Sequence, residues 1–290
     1  MARFDSAVGK YVYVSVNGIE YRVYFEESGK GIPLVCQHTA ASDNRQWRYL
    51  LNDEEITSEY RVIAVDLPYH GKSLPPQSVE WWKEEYNLTR SFLINFYKEF
   101  IRSLGLQKPV YIGCSMGGHL APDLALECPD DFRAVIGIGA SLLPARRALA
   151  WWDHPRVSNS YRAAAMLGMT AITSPENNRR EVTWEYSQSA PSVFNGDLYY
   201  YFVDHFSTLK PEKIDTSRVA VYLLAGEYDP SASPAEVKDM ADHVKGSKFV
   251  ELKGLGHFAM VEDFKTFKKY LMPVLEEIAR LRPITGGNSI

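Results

Sequence analysis

Apolar and polar residues alternate near the start of the chain, whereas further along the apolar residues form unbroken runs. The alternating stretches KYVYVSVNG and IEYRVYFEE meet at Asn17-Gly18, the dipeptide most typical of a tight β-hairpin. The stretch IPLVCQH begins with a continuous apolar run, as expected of a strand buried on both faces of a sheet. Further strands are predicted by the later runs YRVIAVDLP, KPVYIGCS, FRAVIGIGA, VAVYLLAGEYD and SKFVELKG.

Segments with helical spacing lie between these strands. LTRSFLINFYKEFIRSLGL places Phe92, Phe96, Phe100 and Leu104 at intervals of four residues, as on one face of a helix. Helices are also predicted by SDNRQWRYLLND, GGHLAPDLALECPD, SPAEVKDMADHV and FAMVEDFKTFKKYLMPVLEEIARL. Strands and helices alternate from Ile32 onward, which favours the α/β class, with a mostly parallel central sheet and helices on both faces.

The alternation stops in the stretch from 143 to 215. Tryptophans, prolines and polar breaks such as TSPENNRRE indicate an insertion after the sixth strand. We therefore expect an α/β core over residues 1–142 and 216–290 and a helical cap over residues 143–215. The cap should cover the carboxyl ends of the strands, where ligands bind in open α/β sheets.

Aromatic residues are concentrated in the predicted cap, where they form either an aromatic-rich interior or the lining of an apolar pocket. The stretch LYYYFVDHF contains adjacent rings, which cannot all face one way on a regular element. We expect a minority of the cap rings to contact a ligand, with Trp152, Trp184 and Tyr200 as candidates. The other rings should pack in the interior, on the core or in a contact between subunits.

Composition and charge narrow the classes of partner. The 290 residues carry a net charge of −4 at pH 7, which gives no basic footprint for nucleic acid. No apolar stretch approaches the ~20 residues that span a bilayer, and the first residues lack the apolar region of a secretory signal. The three cysteines, Cys36, Cys114 and Cys128, show no metal-ligand spacing and fit reduced thiols. We therefore expect a cytoplasmic monomer or homodimer that acts on a small molecule, with no metal, nucleic acid or membrane partner.

Gly113-Cys114-Ser115-Met116-Gly117 fits the pattern G-x-S-x-G at the junction of a predicted strand and a predicted helix. A sharp turn at such a junction exposes the serine oxygen above the sheet, and the glycines on either side relieve crowding between strand and helix. The N-terminus of the helix favours negative charge nearby. Ser115 is therefore a candidate nucleophile, and the alternative is a small residue required only by the turn.

A serine hydroxyl is a weak nucleophile that needs a base, and a carboxylate has to orient that base. Of the seven histidines, His257 follows the last predicted strand, in LKGLGHFAM, where a loop reaches over the carboxyl edge of the sheet. Its alternative is a loop histidine that faces solvent. VAVYLLAGEYDPSASP offers two carboxylates after the preceding strand. Asp229 is followed by Pro230 and can turn towards the histidine, so we prefer it to Glu227.

The order Ser115, Asp229, His257, together with the turn around the serine and the strand pattern, resembles the α/β-hydrolase superfamily with a lid. The resemblance covers nearly the whole chain, and DLPYHGKS is similar to a structural loop motif of that superfamily. It implies an α/β-hydrolase fold, a catalytic triad of these three residues and no cofactor. Members that cleave epoxides or carbon–halogen bonds carry aspartate in place of the serine, so Ser115 argues against both activities.

The resemblance also implies two backbone N–H groups that stabilise an oxyanion. One belongs to Met116, the residue after the serine. The other comes from the loop after IPLVCQ, where the superfamily usually has His-Gly-x and this chain has His38-Thr39-Ala40. Alignment on the histidine assigns the N–H to Ala40, although the β-branched Thr39 disfavours positive φ. The Thr39 hydroxyl either adds a third donor or narrows the pocket, so His38 and Thr39 are pocket candidates.

These features predict a serine hydrolase that cleaves a carboxylic ester or lactone of a hydrophobic or aromatic small molecule through an acyl-enzyme. The second interpretation is a carbon–carbon bond hydrolase of vinylogous diketones or an enol-lactone hydrolase. Such enzymes resemble this chain at SMGG, but they usually carry a glycine-rich loop where this chain has HTAASDNRQW, which contains no glycine. Acyl transfer to another acceptor and perhydrolysis would use the same site. The third interpretation is a non-catalytic receptor on the same scaffold.

Overall fold

The computed structural model describes residues 2, 4–142, 159–190 and 193–281. Within these ranges the strands are β1 Val8–Val16, β2 Ile19–Ser28, β3 Ile32–Gln37, β4 Tyr60–Val65, β5 Val110–Cys114, β6 Ala134–Ile138, β7 Ala220–Gly226 and β8 Lys248–Leu252. They form one sheet in the order β1-β2-β4-β3-β5-β6-β7-β8. β1 pairs antiparallel with β2, and β2 with β4, whereas the other neighbours are parallel. The prediction of an α/β fold with a mostly parallel sheet is confirmed.

Helices lie between the strands and pack on the sheet. In the described ranges they are α1 Arg48–Leu51, α2 Glu54–Glu59, α3 Arg90–Ser103, α4 Met116–Glu127, α5 Asn159–Leu167, α6 Glu176–Ser187, α7 Val193–Tyr199, α8 Phe206–Thr208, α9 Pro234–His243, α10 Ala259–Glu262 and α11 Phe264–Arg280. A π-helical turn, Tyr200–His205, joins α7 to α8. Short 3₁₀ turns cover Asn44–Trp47, Trp81–Lys83, Pro129–Asp131 and Pro211–Lys213. None of the helices described is both long and apolar enough to cross a membrane.

The hairpin predicted at Asn17-Gly18 joins β1 to β2. Val16 pairs with Ile19 at its end, and both turn residues have positive φ, 53° for Asn17 and 82° for Gly18. A two-residue turn with two left-handed positions follows the right-handed twist of the flanking strands. The local sequence therefore determines this turn.

Two predicted helices are divided in the structure. SDNRQWRYLLND forms a 3₁₀ turn followed by the short α1, and the Asp43 carboxylate caps the turn by accepting the N–H of Arg45 at 3.1 Å. The prediction of one continuous C-terminal helix is wrong at Asp263. This residue has an extended backbone with φ −156°, and its carboxylate accepts the N–H of Thr266 at 3.0 Å. Because it caps the following helix, α10 ends just before it and α11 begins just after it.

Four parallel strands bring the loops of the candidate site to one edge of the sheet. β3, β5, β7 and β8 end at Gln37, Cys114, Gly226 and Leu252. β5 is buried along its whole length, so it lies in the centre of the core. The carboxyl ends of parallel strands lie at the same edge, so the loops that follow them are neighbours there.

Helices α5 to α8, with the π-helical turn, lie between β6 and β7 in the chain, and we call them the inserted helices. They are attached to the core by hydrogen bonds such as that from the N–H of Arg90, at the start of α3, to Asp204 at 2.6 Å. The predicted cap over 143–215 includes these helices. Its residues 143–158 lie outside the described ranges, so the boundaries of the cap stay a prediction.

Candidate active site

Ser115 lies at the turn between β5 and α4. Its backbone has φ 57° and ψ −116°, a strained conformation for a residue with a side chain. The Ser115 N–H donates to the carbonyl of Ile138 on the neighbouring β6 at 2.9 Å, which holds the turn against the sheet. A β-carbon at Gly117 would lie 2.5 Å from Cγ of Gln37, and one at Gly113 would collide with the carbonyl of Gly117. Close packing of strand and helix therefore requires both glycines.

His257 and Asp229 meet at the same edge of the sheet. Nδ1 of His257 lies 2.7 Å from Oδ2 of Asp229, and both side chains are buried. Oδ1 of Asp229 accepts the backbone N–H groups of Ser231 and Ala232 at 2.8 and 3.2 Å. Because each carboxylate oxygen has its own donors, the imidazole proton is held on Nδ1, and Nε2 of His257 is left as an acceptor.

The backbone of His257 is fixed as well. Its N–H donates to the carbonyl of Met169 at 2.9 Å, and its carbonyl accepts the thiol of Cys114 at 3.1 Å. Burial raises the pKa of this thiol well above its usual value, which keeps it protonated as a donor. Cys114 directly precedes Ser115, so the thiol ties the histidine loop to the turn that carries the serine.

Glu227, the other carboxylate considered as partner of His257, faces a different part of the histidine loop. Its Oε2 accepts the N–H of Gly254 at 2.9 Å, and Nζ of Lys253 lies 3.6 Å from its Oε1. The hydrogen bond from Gly254, assisted by the Lys253 charge, holds the pKa of the Glu227 carboxyl below its usual value. The structure therefore brings Asp229, and not Glu227, to the imidazole.

Ser115 and His257 line one cavity of about 240 Å³. Its wall combines core loops with the inserted helices. The lining residues are Ala40, Ser115, Met116, Met166, Met169, Tyr186, Phe194, Leu198, Tyr201, Phe202, Pro230, Ser231 and His257. Most of these side chains are apolar, and the few polar groups include the serine and the histidine. An apolar cavity with a few polar groups is the ordinary form of a small-molecule site.

Two of the aromatic candidates from the predicted cap, Tyr200 and Trp184, are absent from this lining, which corrects their assignment. Tyr200 is fully buried, and its hydroxyl donates to the core helix α4 at 2.7 Å. Its ring therefore packs against the core. Trp184 is 55% exposed and faces solvent. Their near neighbours Tyr201 and Tyr186 line the cavity instead. Trp152 lies outside the described residues.

His38 and Thr39 are also buried behind the cavity wall and do not line it. Nδ1 of His38 donates to the Thr39 carbonyl at 2.8 Å, and Nε2 accepts the N–H of Leu67 at 3.2 Å. Burial lowers the pKa of His38 to about 4, so the neutral ring anchors the loop. The Thr39 hydroxyl is hydrogen-bonded to the hydroxyl of Tyr186 and accepts a hydrogen bond from Gln46 at 3.1 Å. It therefore serves neither as a third donor in the cavity nor as a constriction of it.

Ala40 and Met116 both line the cavity, and their backbone N–H groups have no acceptor among the described residues. Met116 opens α4, so its N–H is one of the unsatisfied donors at a helix N-terminus. In the other loop the positive φ falls on Ala41, at 57°, and not on Thr39. The β-branched residue is thereby spared a conformation that it disfavours. Both predicted donors thus belong to residues that line the same cavity as Ser115, and their role towards an oxyanion stays a prediction.

A family model described as "Alpha/beta hydrolase family" matches residues 34–267. The chain belongs to the alpha/beta hydrolase family. Part of it is similar to bifunctional epoxide hydrolase 2 from Sus scrofa, with 34% identity over 124 residues, which are 42% of this chain and 21% of that protein. The chain spans less than half the length of the curated relatives that it matches.

Solved structures of other proteins share the fold of this alpha/beta hydrolase. A thermophilic esterase from Thermogutta terrifontis superposes with a TM-score of 0.78 and 20% identity, covering 93% of this chain and 99% of that one. The enol-lactonase from Burkholderia xenovorans LB400 superposes with a TM-score of 0.77 and 18% identity, covering 91% of this chain and 99% of that one. At these identities the likeness shows the common fold alone.

Glu262, which no sequence pattern singled out, supports the loop that carries His257. It is fully buried in α10, and its carboxylate accepts the N–H of Gly256 and, at 2.7 Å, the N–H of Ala171. Burial raises the pKa of Glu262 to about 7, although both hydrogen bonds oppose this shift. Glu262 thus joins the histidine loop to the segment between α5 and α6. The signal available in the sequence was an acidic residue in the apolar stretch FAMVE, five positions after His257.

Proposed function

We propose that this protein is a serine hydrolase that cleaves a carboxylic ester or lactone of a hydrophobic small molecule through an acyl-enzyme. One observation carries the proposal. Ser115, the buried His257–Asp229 pair and two backbone N–H groups without acceptors in the described ranges meet at one mostly apolar cavity. Acyl transfer needs a nucleophile, a base with a fixed tautomer and donors for an oxyanion, and these are the groups present.

In the proposed mechanism, Nε2 of His257 takes the proton of the Ser115 hydroxyl while Oγ attacks the substrate carbonyl. The N–H groups of Ala40 and Met116 donate to the oxyanion of the tetrahedral intermediate. The imidazolium then gives its proton to the leaving alcohol oxygen as the C–O bond breaks, which leaves the acyl group on Ser115. His257 next takes a proton from water as the water attacks the acyl carbon, and returns it to Oγ of Ser115 as the bond between the acyl carbon and Oγ breaks and the acid is released. Asp229 keeps the imidazole in its tautomer and stabilises its positive charge.

The lining of the cavity supports the proposed substrate class. Three methionines and several aromatic rings form its wall, so it favours an apolar acyl or alcohol group. We further propose that the segment 143–215 acts as a cap, because its described helices supply Met166, Tyr186 and Phe194 to the wall. The similarity to an epoxide hydrolase does not extend to the proposed chemistry, since Ser115 stands where epoxide-cleaving members carry aspartate.

Lactones are included because a lactone is an ester whose leaving alcohol stays attached to the acyl group. The fold of an enol-lactonase superposes on 91% of this chain, so lactones are worth testing as substrates beside esters. The described wall presents no charged side chain other than the histidine when it is protonated. Neutral esters and lactones are therefore preferred to substrates that carry a carboxylate beside the reacting carbonyl.

A substrate panel with a serine variant tests the proposal. Wild type should hydrolyse p-nitrophenyl esters of short and aryl acids or neutral lactones, and Ser115→Ala should reduce kcat by at least about 10⁴-fold while keeping the folded circular dichroism spectrum. A fluorophosphonate should label wild type and Ser231→Ala, whose serine also lines the cavity, but not Ser115→Ala. Turnover that survives in folded Ser115→Ala would refute the proposal. Binding of the panel compounds without turnover in wild type would favour a receptor.

A further inference from the structure

The loop of Thr39, Ala40 and Ala41, which we call the oxyanion loop, is held by the inserted helices as well as by the core. The N–H of Ala40 is free at the cavity wall within the described ranges, but side chains of the inserted helices bind both of its neighbours. Asp197 on α7 accepts the N–H of Ala41 at 2.7 Å, and Tyr186 on α6 shares a hydrogen bond with the hydroxyl of Thr39. The donor assigned to the oxyanion therefore sits between two attachments that the core does not supply.

Asp197 is fully buried and receives two further hydrogen bonds from the core. The Tyr86 hydroxyl donates to Oδ1 at 3.0 Å, and Nε2 of His70 lies 2.9 Å from Oδ2. Nδ1 of His70 lies 3.0 Å from the carbonyl of Pro68, so both ring nitrogens face acceptors, as in an imidazolium. Burial lowers the pKa of His70, but the Asp197 carboxylate, together with the Pro68 carbonyl and Asp66, outweighs this effect and raises the pKa overall. The carboxylate that fixes Ala41 is thus itself fixed by a buried ion pair.

The backbone of Ala41 depends on this attachment. Its φ of 57° lies in the left-handed region, which alanine disfavours because of its β-carbon. A hydrogen bond to a carboxylate is stronger than one to a neutral acceptor and holds the residue in this conformation. Without Asp197, the Ala41 N–H would have no acceptor among the described residues. The Ala40 N–H shares a peptide plane with the Thr39 carbonyl, which accepts Nδ1 of His38 at 2.8 Å and the N–H of Ser42 at 3.2 Å. Loss of the Asp197 contact would therefore leave this peptide held from the core alone and loosen the direction of the Ala40 N–H.

Thr39 is held from both sides. Its N–H donates to Oε1 of Gln46 at 2.9 Å, and Nε2 of the same side chain donates to its hydroxyl at 3.1 Å. These two bonds belong to the core, whereas the bond to Tyr186 comes from an inserted helix and spans 147 positions in the chain. Tyr186 also lines the cavity, so one side chain contacts both the space for a ligand and the loop that would stabilise its oxyanion.

We infer that the inserted helices complete the oxyanion hole, with Asp197 and Tyr186 as positioning residues that aim the Ala40 N–H at the cavity. This inference rests on the proposed function, because it assigns the Ala40 N–H to an oxyanion. Where the superfamily usually has glycine, this chain has Thr39, and two side chains from distant helices add their hydrogen bonds to those by which Gln46 of the core holds the loop. A movement of the inserted helices would therefore disable the chemistry as well as open the cavity.

Two substitutions and two matched controls test the inference. Asp197→Asn removes the charged acceptor in the loop, and Tyr186→Phe removes the hydroxyl bound to the loop. Asp204→Asn removes another carboxylate of the inserted helices that accepts a core N–H, at 2.6 Å. Tyr49→Phe removes a core hydroxyl that donates to α6 at 3.0 Å. Each control breaks an attachment of the same kind away from the oxyanion loop.

With an aryl ester, Asp197→Asn should lower kcat about 10²-fold and Tyr186→Phe about tenfold, since loss of one oxyanion donor typically costs ~10²–10³ in rate. KM should change much less, because the cavity wall is kept. The affinity for an aryl boronic acid, whose serine adduct is an anionic tetrahedral boronate with a hydroxyl in the place of the oxyanion, should fall by the same factors as kcat. The two control variants should keep the wild-type kcat and the wild-type affinity for the boronic acid. Equal losses in all four variants would overturn the inference, since general loosening of the helices predicts them.

Hydrogen exchange separates this inference from the proposed function. The amide of Ala41 should exchange faster in Asp197→Asn than in wild type or Asp204→Asn, as measured by NMR on the folded proteins. Unchanged exchange at Ala41 would overturn the inference whatever the activity. Faster exchange together with no ester turnover in wild type would count against the proposed function alone. If Asp197→Asn does not fold, the nearly isosteric Tyr186→Phe carries the kinetic and boronate tests.

Discussion

The carboxyl group of Glu185 gives the free energy of unfolding a pH dependence that can be measured. Glu185 lies on α6 and is 2% exposed. Its Oε1 accepts a hydrogen bond from Arg48 at 3.3 Å, but its Oε2 is buried with no partner in the part of the chain that the structure describes. Burial, assisted by the nearby negative charge of Asp43, raises the pKa of Glu185 to about 8 from 4.5.

The sign of the effect follows from proton uptake. Between the unfolded and folded pKa values, the folded protein holds a proton on Glu185 that the unfolded chain releases, so the free energy of unfolding falls as pH rises. Each pH unit in this window is worth at most about 1.4 kcal/mol. From pH 5 to pH 7.5, both inside the window, this group should therefore lower the free energy of unfolding by about 3 kcal/mol.

Glu185→Gln tests this reasoning, because the amide keeps the shape of the protonated carboxyl and does not ionise. The stability of the variant relative to wild type should increase by about 3 kcal/mol between pH 5 and pH 7.5. Urea unfolding followed by circular dichroism at the two pH values gives both free energies, and the pH 5 pair serves as the control for the substitution itself. Parallel pH dependences of the two proteins would refute the argument.

Two further pairs of substitutions test the site and its support. Asp229→Asn should lower kcat for an ester by about 10⁴-fold. Glu227→Gln should lower kcat less than about tenfold, because the Glu227 carboxylate binds the backbone away from the imidazole. Steady-state kinetics of both variants would show the reverse ranking if Glu227 were the acid. Gly196→Ala should lower Tm by several degrees and reduce kcat, because its β-carbon would collide with the ring and carbonyl of Tyr86. Gly168→Ala, whose β-carbon would meet its nearest neighbour at 3.2 Å, is the control, and equal Tm values for the two alanine variants would contradict this expectation.

The features that the sequence predicts well are local ones. The hairpin depends on two adjacent residues, Asn17 and Gly18, and the unbroken apolar runs became the buried parallel strands. The glycines around Ser115 are needed for packing between a strand and the helix that directly follows it, so the pattern within five residues contains the information. The contact of His257 with Asp229 is longer in range but follows from strand order, which the alternation of elements predicts.

The lining of the cavity could not be predicted in the same way. Tyr200 and Tyr201 are adjacent, yet Tyr200 donates to a core helix and Tyr201 lines the cavity. Successive residues on a helix point about 100° apart, so the choice between them depends on where the helix packs. The π-helical turn of this segment changes that spacing again. A sequence pattern does not reveal either fact.

The attachment of the oxyanion loop was hidden for a related reason. Ala41 and Asp197 are separated by 156 positions, and neither belongs to a motif. The substitution of glycine by Thr39 pointed to a departure in this loop but not to its partner. The nearest signal in the sequence was an aspartate just before the aromatic run in NGDLYYYF. The role of this aspartate becomes visible only when the fold places it beside the loop.

The shared contacts of the oxyanion loop also limit how this chain can be recombined with its relatives. A chimera that exchanged the inserted helices would lose Tyr186 and Asp197 together. His70 would then lose the carboxylate that raises its pKa, burial would favour the neutral ring, and the nitrogen that faces Asp197 would be left buried without a partner, which is destabilising. The loop, His70 and the inserted helices therefore have to be exchanged as one unit, and evolutionary change in any of them is constrained by the others.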